Sequence, residues 1–144
     1  MAGIPDAVAS TTVPQHPARV WQALTDPSEI EQYFFGTRVV TDWQVGGPIT
    51  WGGEWQGKPY EDRGEVLEVT APEQLTVSHY SPMTGLPDVP ENYHTVTYIL
   101  AAVPDGTTVT IRQGNNRSEG EVAESEKTWT MVLDSLKSYL GEAD

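Results

Sequence analysis

The sequence predicts an α+β domain in which one antiparallel sheet curves around a long C-terminal helix. Between residues 49 and 113, apolar and polar residues alternate in short segments divided by Gly- and Pro-containing turns, the period of half-buried strands. From about residue 118 to 140 the apolar period becomes helical. The 144 residues supply core for one domain and leave little for a second. A flexible tail is expected at residues 1–6, followed by a single domain at 7–144.

Residues 7–13, rich in Val and Thr, read as a first strand that Pro14 ends. Pro17 suits the first turn of a helix, where its fixed φ helps and its missing N–H costs nothing. Val20, Trp21 and Leu24 give that helix its apolar stripe, and His16 is a weak N-cap. Asp26, Pro27 and Glu29 form an aspartate version of a capping box and open a second short helix, with Ile30, Tyr33 and Phe34 on its apolar face.

Residues 37–40 read as a short strand, and Gly46-Gly47 as a turn. Ile49, Trp51, Gly53 and Trp55 then share one face of a strand. Residues 56–59, Gln-Gly-Lys-Pro, read as a turn, and the next strand is expected at 64–70 with Leu67 and Val69 on one face and Val66 on the other. Leu75, Val77 and His79 share a face, as do Val96, Tyr98 and Leu100. Between these two strands, residues 82–92 hold three prolines and one glycine, an irregular segment long enough to act as a lid or binding loop. Pro104-Asp105-Gly106 makes a hairpin turn into Val109, Ile111 and Gln113. On the closing helix Val122, Trp129, Val132, Leu133, Leu136 and Leu140 fall on one face. Glu119, Glu121 and Glu124 complement its positive end, Lys137 its negative end, and Gly141 suits the position after it.

Short connections favour antiparallel pairing, and alternation buries one sheet face. One long apolar helix is available to cover that face. A wide twisted sheet curls around such a helix. The helix cannot fill the whole concave space, so a cavity is expected at one end. Inward parity assigns its lining: Phe34, Trp51, Trp55, His79, Tyr98, Gln113 and Trp129 are the candidate ligand-binding residues. Apolar walls with a few polar groups are the usual make-up of a small-molecule site. Gly53, between the two tryptophans, is expected to leave open volume, and His79 and Gln113 to fix a ligand's polar end. The same aromatics also serve plain core packing, and His94, beside the long loop, is expected to be exposed.

Composition removes other chemistries. The formal charge is −13, with 21 acidic and 8 basic residues, so phosphate backbones and anionic lipid surfaces are repelled and no nucleic-acid partner is expected. Without cysteine there is no disulfide and no thiolate nucleophile or ligand, which fits a reducing, cytoplasmic setting. No apolar run approaches the ~20 residues of a membrane span, and residues 1–10 lack the pattern of a signal peptide. His16, His79 and His94 lie far apart in sequence, so no metal site is expected. Gly46-Gly47 and Gly52-Gly53 lack a following helix and lysine, so no nucleotide cofactor is expected either.

The run Pro17-Ala18-Arg19-Val20-Trp21-Gln22-Ala23-Leu24-Thr25-Asp26-Pro27 resembles the opening motif of the activator-of-heat-shock-protein-ATPase homologue (AHSA-like) family, within the START-like or SRPBCC superfamily. Gly46-Gly47, the run Gly64-Glu65-Val66-Leu67-Glu68-Val69 with Pro72 and Leu75, the run Gly106-Thr107-Thr108-Val109-Thr110, and Trp129 with Leu133, Leu136 and Lys137 are similar to later segments of that family. Each motif is weak alone; their order and spacing over nearly the whole chain are specific. The resemblance implies a helix-grip (START-like, Bet v 1-like) fold of order β-α-α-β6-α. The aromatic inward face together with that architecture points, first, to non-catalytic binding of a hydrophobic small molecule, a lipid or an aromatic metabolite. A chaperone-linked or other protein-interaction module, with a possible homodimer, is the alternative. The family's eukaryotic co-chaperones carry an added N-terminal domain for which 144 residues leave no room. A third reading follows relatives that are polyketide cyclases. It needs a positioned base in the cavity, and His79 with Glu126 is the candidate pair.

Overall fold

Every strand of the sheet runs antiparallel to its neighbours. The computed structural model describes residues 3–141. In it the chain forms β1 (Ala7–Val13), α1 (Pro17–Thr25), α2 (Pro27–Tyr33), β2 (Arg38–Val40), β3 (Pro48–Trp55), β4 (Lys58–Thr70), β5 (Gln74–His79), β6 (His94–Val103), β7 (Gly106–Gly114) and α3 (Glu119–Leu140). The strand order across the sheet is β1-β7-β6-β5-β4-β3-β2. This is the β-α-α-β6-α order of a helix-grip fold, with α3 laid along β1 and β7.

The helix ends follow local chemistry. Asp26 caps α2 by accepting from the Ser28 N–H at 2.9 Å and the Ser28 hydroxyl at 2.7 Å. Glu29 does not close a capping box. It turns instead to Arg19 of α1 at 2.7 Å and accepts from the Tyr139 hydroxyl of α3 at 2.9 Å, joining three helices. Ser118 caps α3 by accepting from the Glu121 N–H at 3.0 Å, and Glu121 accepts from the Arg117 N–H at 2.6 Å. At the far end Gln15 donates to the Leu140 carbonyl at 2.9 Å. Gly141 is not left-handed: its φ is −70°. Glycine is needed there for closeness, because a Cβ would stand 2.6 Å from the Lys137 carbonyl.

α3 is held unequally along its length. Val132, Leu133, Leu136 and Leu140, in its C-terminal half, are buried. Val13 of β1 and Val109 and Ile111 of β7 are buried with them in one core. Each such aliphatic side chain contributes about 1.5–3 kcal/mol when fully buried. The N-terminal half buries Val122 alone, with Trp129 partly covered. A hollow follows from that asymmetry.

Several expectations change. β4 begins at Lys58, so Pro59 lies within a strand, paired with Glu54, rather than in a turn. Its missing N–H is tolerated because β5 does not reach that far along β4. Beyond Val66 the register with β5 shifts. Val66 is buried opposite Val77 and Val69 packs on the core opposite Leu75, so the shift turns both inward and leaves Leu67 exposed. The segment at 82–92 contributes no wall to the cavity described below. It is pinned to the surface instead: Asp88 pairs with Arg63 at 2.8 Å, and Asn115 donates to the carbonyls of Glu91 and Tyr93. Ahead of β1, the Pro5 carbonyl accepts from Asn116 and Asp6 lies 3.3 Å from Arg112, which leaves the expectation of a tail at 1–6 as it was. No helix among the described residues is long and apolar enough to cross a membrane.

Gly64 ties this frame to the site. A Cβ there would stand 1.8 Å from the Ser78 carbonyl, so any side chain must push β4 from β5. Gly64→Ala is expected to cost at least about 2 kcal/mol of unfolding free energy by urea denaturation, the scale of a forced backbone shift. A loss below a few tenths would refute the close approach.

Candidate functional site

At one end of the sheet, beneath the N-terminal half of α3, lies a cavity of about 400 Å³. Phe34, Trp51, Val77, Val96, Tyr98 and Trp129 form its apolar wall. Thr37, Tyr60, Asp62, His79 and Gln113 supply polar groups from below, and Glu121, Glu124, Ser125 and Thr128 supply them from α3. Glu124 and Thr128 are exposed and stand at the rim. A smaller void of about 20 Å³ adjoins Phe34, Trp51, Val77 and Tyr98 on their other side.

Strand register explains the grouping. Trp51 lies opposite Asp62, His79 opposite His94, and Val96 opposite Gln113. The β4–β5 register puts Gly64 across from His79. With no side chain at Gly64, the His79 ring leans along the sheet. Its Nε2 stands 2.8 Å from Asp62 Oδ2, and its ring meets the Trp51 ring edge-on at 4.9 Å between centroids. A carboxylate only accepts, so His79 donates from Nε2, and in the neutral ring Nδ1 carries the lone pair. The other Asp62 oxygen, Oδ1, is buried without a hydrogen-bond partner.

Gln113 is committed to the fold. Its Nε2 donates to Asn116 Oδ1 at 2.9 Å and to Ser125 Oγ at 2.8 Å, while Oε1 accepts from Trp129 Nε1 at 2.9 Å. The amide therefore clasps β7 to α3, and Trp129 is fixed with its ring edge-on to Phe34 and Tyr98. Tyr98 is enclosed by the fold but keeps accessible surface because it faces the hollow. Burial pushes its phenol up from the ordinary value, so it stays protonated at neutral pH.

Six of the seven candidate residues line the cavity: Phe34, Trp51, His79, Tyr98, Gln113 and Trp129. Trp55 lies on β3 paired with Lys58, and its side chain falls outside the described residues. The space above Gly53 is filled, not open, since a Cβ there would meet the Tyr60 ring at 3.0–3.2 Å. His79 does not meet Glu126, whose carboxylate accepts from the Val8 N–H of β1 at 3.0 Å. Tyr60 and Asp62 escaped the sequence reading because Pro59 masked the strand that carries them. Their signal was the charged Glu61, Arg63 and Glu65 at alternate positions, the mark of a solvent face.

His94 is not exposed. Its Nε2 stands 3.3 Å from Glu121 Oε1, too poorly aligned for a hydrogen bond, and has no other partner. Burial lowers the His94 pKa and outweighs the pull of Glu121. Glu121 is held below its ordinary range: burial opposes this, but the Arg117 N–H, His94 and the Arg117 charge together prevail. No group of three or more His, Asp or Glu side chains among the described residues is placed to hold a metal.

A curved antiparallel sheet gripping one long helix over a lined hollow defines a START-like, helix-grip domain. The sequence matches the family described as Activator of Hsp90 ATPase homolog 1-like protein over residues 15–141, and the chain belongs to that family. The wider grouping includes ligand-binding and polyketide cyclase-like proteins. The solution structure of a Cytophaga hutchinsonii protein is similar at 44% identity and TM-score 0.84, over 97% of this chain and 96% of that one. CalU16 of Micromonospora echinospora is similar at 25% identity and TM-score 0.73, over 94% of this chain and 75% of that one. A protein of the dynemicin biosynthetic locus shares the fold at 23% identity and TM-score 0.78, over 94% of this chain and 47% of that one. No protein with a curated description matches.

The lowered pKa of His94 makes stability fall with acid. Below its ordinary value of 6.5 the unfolded chain takes up the proton while the folded chain resists it, so unfolding is favoured. The contribution is complete above 6.5 and is lost as pH falls through the folded value. Melting temperature should therefore drop between about pH 7 and pH 5, and His94→Gln should flatten that slope. An unchanged slope in the variant would assign the drop to other groups.

Proposed function

We propose that the protein binds a hydrophobic small molecule, with its apolar body against Trp51, Tyr98 and Trp129 and its polar end toward Asp62 and His79. One observation carries the reading: a hollow of about 400 Å³ walled by aromatics, with a few polar groups converging on it. That volume lies within the range of small-molecule sites, roughly 300–1,000 Å³. The wall is preformed, since the Gln113 clasp fixes Trp129 and the Asp62 hydrogen bond fixes His79. Preformed walls reduce the ordering cost of binding. Trp51→Ala removes a wall without touching the clasp. It is expected to weaken binding of a naphthalene-type fluorescent probe at least tenfold by titration, with an unchanged far-UV circular dichroism spectrum. Affinity equal to the parent chain's would remove the cavity from the function.

A second reading is favoured by the same hydrogen bond. A histidine held at Nε2 by a carboxylate, with Nδ1 unoccupied, has the form of an oriented general base. The wider family grouping includes polyketide cyclase-like proteins, which makes a polyketide-type substrate a sensible assay class. With such a substrate, His79→Ala should lower turnover by 100-fold or more, about the share of one acid–base group. Retained turnover would leave His79 as a binding residue alone.

A further inference from the structure

We propose that the cavity selects ligands by charge, taking an aromatic or aliphatic body that carries a protonated amine and refusing the corresponding carboxylate. The inference rests on the binding reading above and names its ligand class. Asp62, Glu121 and Glu124 all contribute to the lining, and neither lysine nor arginine does. Two of these carboxylates have partial counterweights: His79 hydrogen-bonds Asp62, and Arg117 pairs with Glu121 at 2.8 Å from outside the cavity wall. Glu124, at the rim, has no ion-pair partner among the described residues. His94, 3.3 Å from Glu121, helps hold that carboxylate ionised, while burial works against a charge on His94 itself. The hollow is thus negative, and it lies in a chain of formal charge −13. A cleft lined by one sign of charge between low-dielectric walls focuses its field and concentrates the opposite ion.

The apolar walls act in the same direction. Trp51, Tyr98 and Trp129 present aromatic surface to the cavity, and an ammonium over an aromatic face is attracted by the ring quadrupole. An anionic head group finds no lysine or arginine there and would be desolvated beside three carboxylates. Fatty-acid-like ligands are the ones this arrangement excludes.

The test is a set of three probes with one body and three heads: naphthylmethylamine, naphthylmethanol and naphthoate, titrated by calorimetry at neutral pH. The amine is expected to bind at least tenfold more tightly than naphthoate, with the alcohol between them. Added salt should weaken the amine and leave the alcohol unchanged. Asp62→Asn and Glu124→Gln should each narrow the gap between amine and alcohol. Glu124 is exposed, so that variant carries the test even if Asp62→Asn fails to fold. If naphthoate binds as tightly as the amine, or if the gap survives in Glu124→Gln and in any folded Asp62→Asn, charge selection is overturned. The cavity reading then stands, provided the alcohol binds and Trp51→Ala weakens it. If none of the three binds, both are overturned.

Discussion

The structure depends on how α3 is fastened. Its C-terminal half is seated by aliphatic contact: Leu133, Leu136 and Leu140 are buried in one core with Val13 and Val109 of the sheet. Its N-terminal half is held by hydrogen bonds, chiefly the Gln113 amide that reaches Trp129 and Ser125. Aliphatic packing closes space, because every void forfeits contacts. A side-chain clasp fixes a distance without filling what lies beside it. The hollow therefore exists at the end where the fastening is polar. A fully apolar helix face would have drawn the sheet closed and left no site.

Seen from the cavity, the same division separates what holds the walls from what faces into them. Gln113 and Trp129 both line the hollow, yet their polar atoms are engaged with one another. His79 is engaged on one side only, and the Tyr98 phenol faces the open volume. The groups left for a ligand are thus fewer than the lining alone implies. They are concentrated on the β4 and β5 side, opposite the carboxylates of α3.

Much of this was legible in the residues. The helical stripe from Val122 to Leu140 and the two-residue alternation of the strands are direct imprints of burial on composition. Inward parity points Trp51, His79, Tyr98 and Gln113 to one side, and all four line the cavity, since a strand offers only two faces. What failed was local. Pro59 reads as a break, and only the absence of a β5 neighbour at that height makes it acceptable within β4. Tyr60 and Asp62 were lost with it. The pairing of His79 with Asp62 instead of Glu126 depends on lateral order in the sheet, which period alone does not encode. Gln113 illustrates the other limit: its position was readable, but whether its amide was free or engaged was decided by Asn116, Ser125 and Trp129.

The bond from the Val8 N–H to Glu126 has a meaning apart from the site. β1 ends the sheet on one side, and an unpaired rim of amides and carbonyls is a template onto which another molecule's strand can add. Glu126 occupies one of those amides with a charged side chain from the overlying helix, which blocks that rung of the ladder to newcomers. At the opposite rim β2 is three residues long, too short to seed much growth. A curved sheet that must stay open to hold its helix thus keeps both margins unattractive to its own copies.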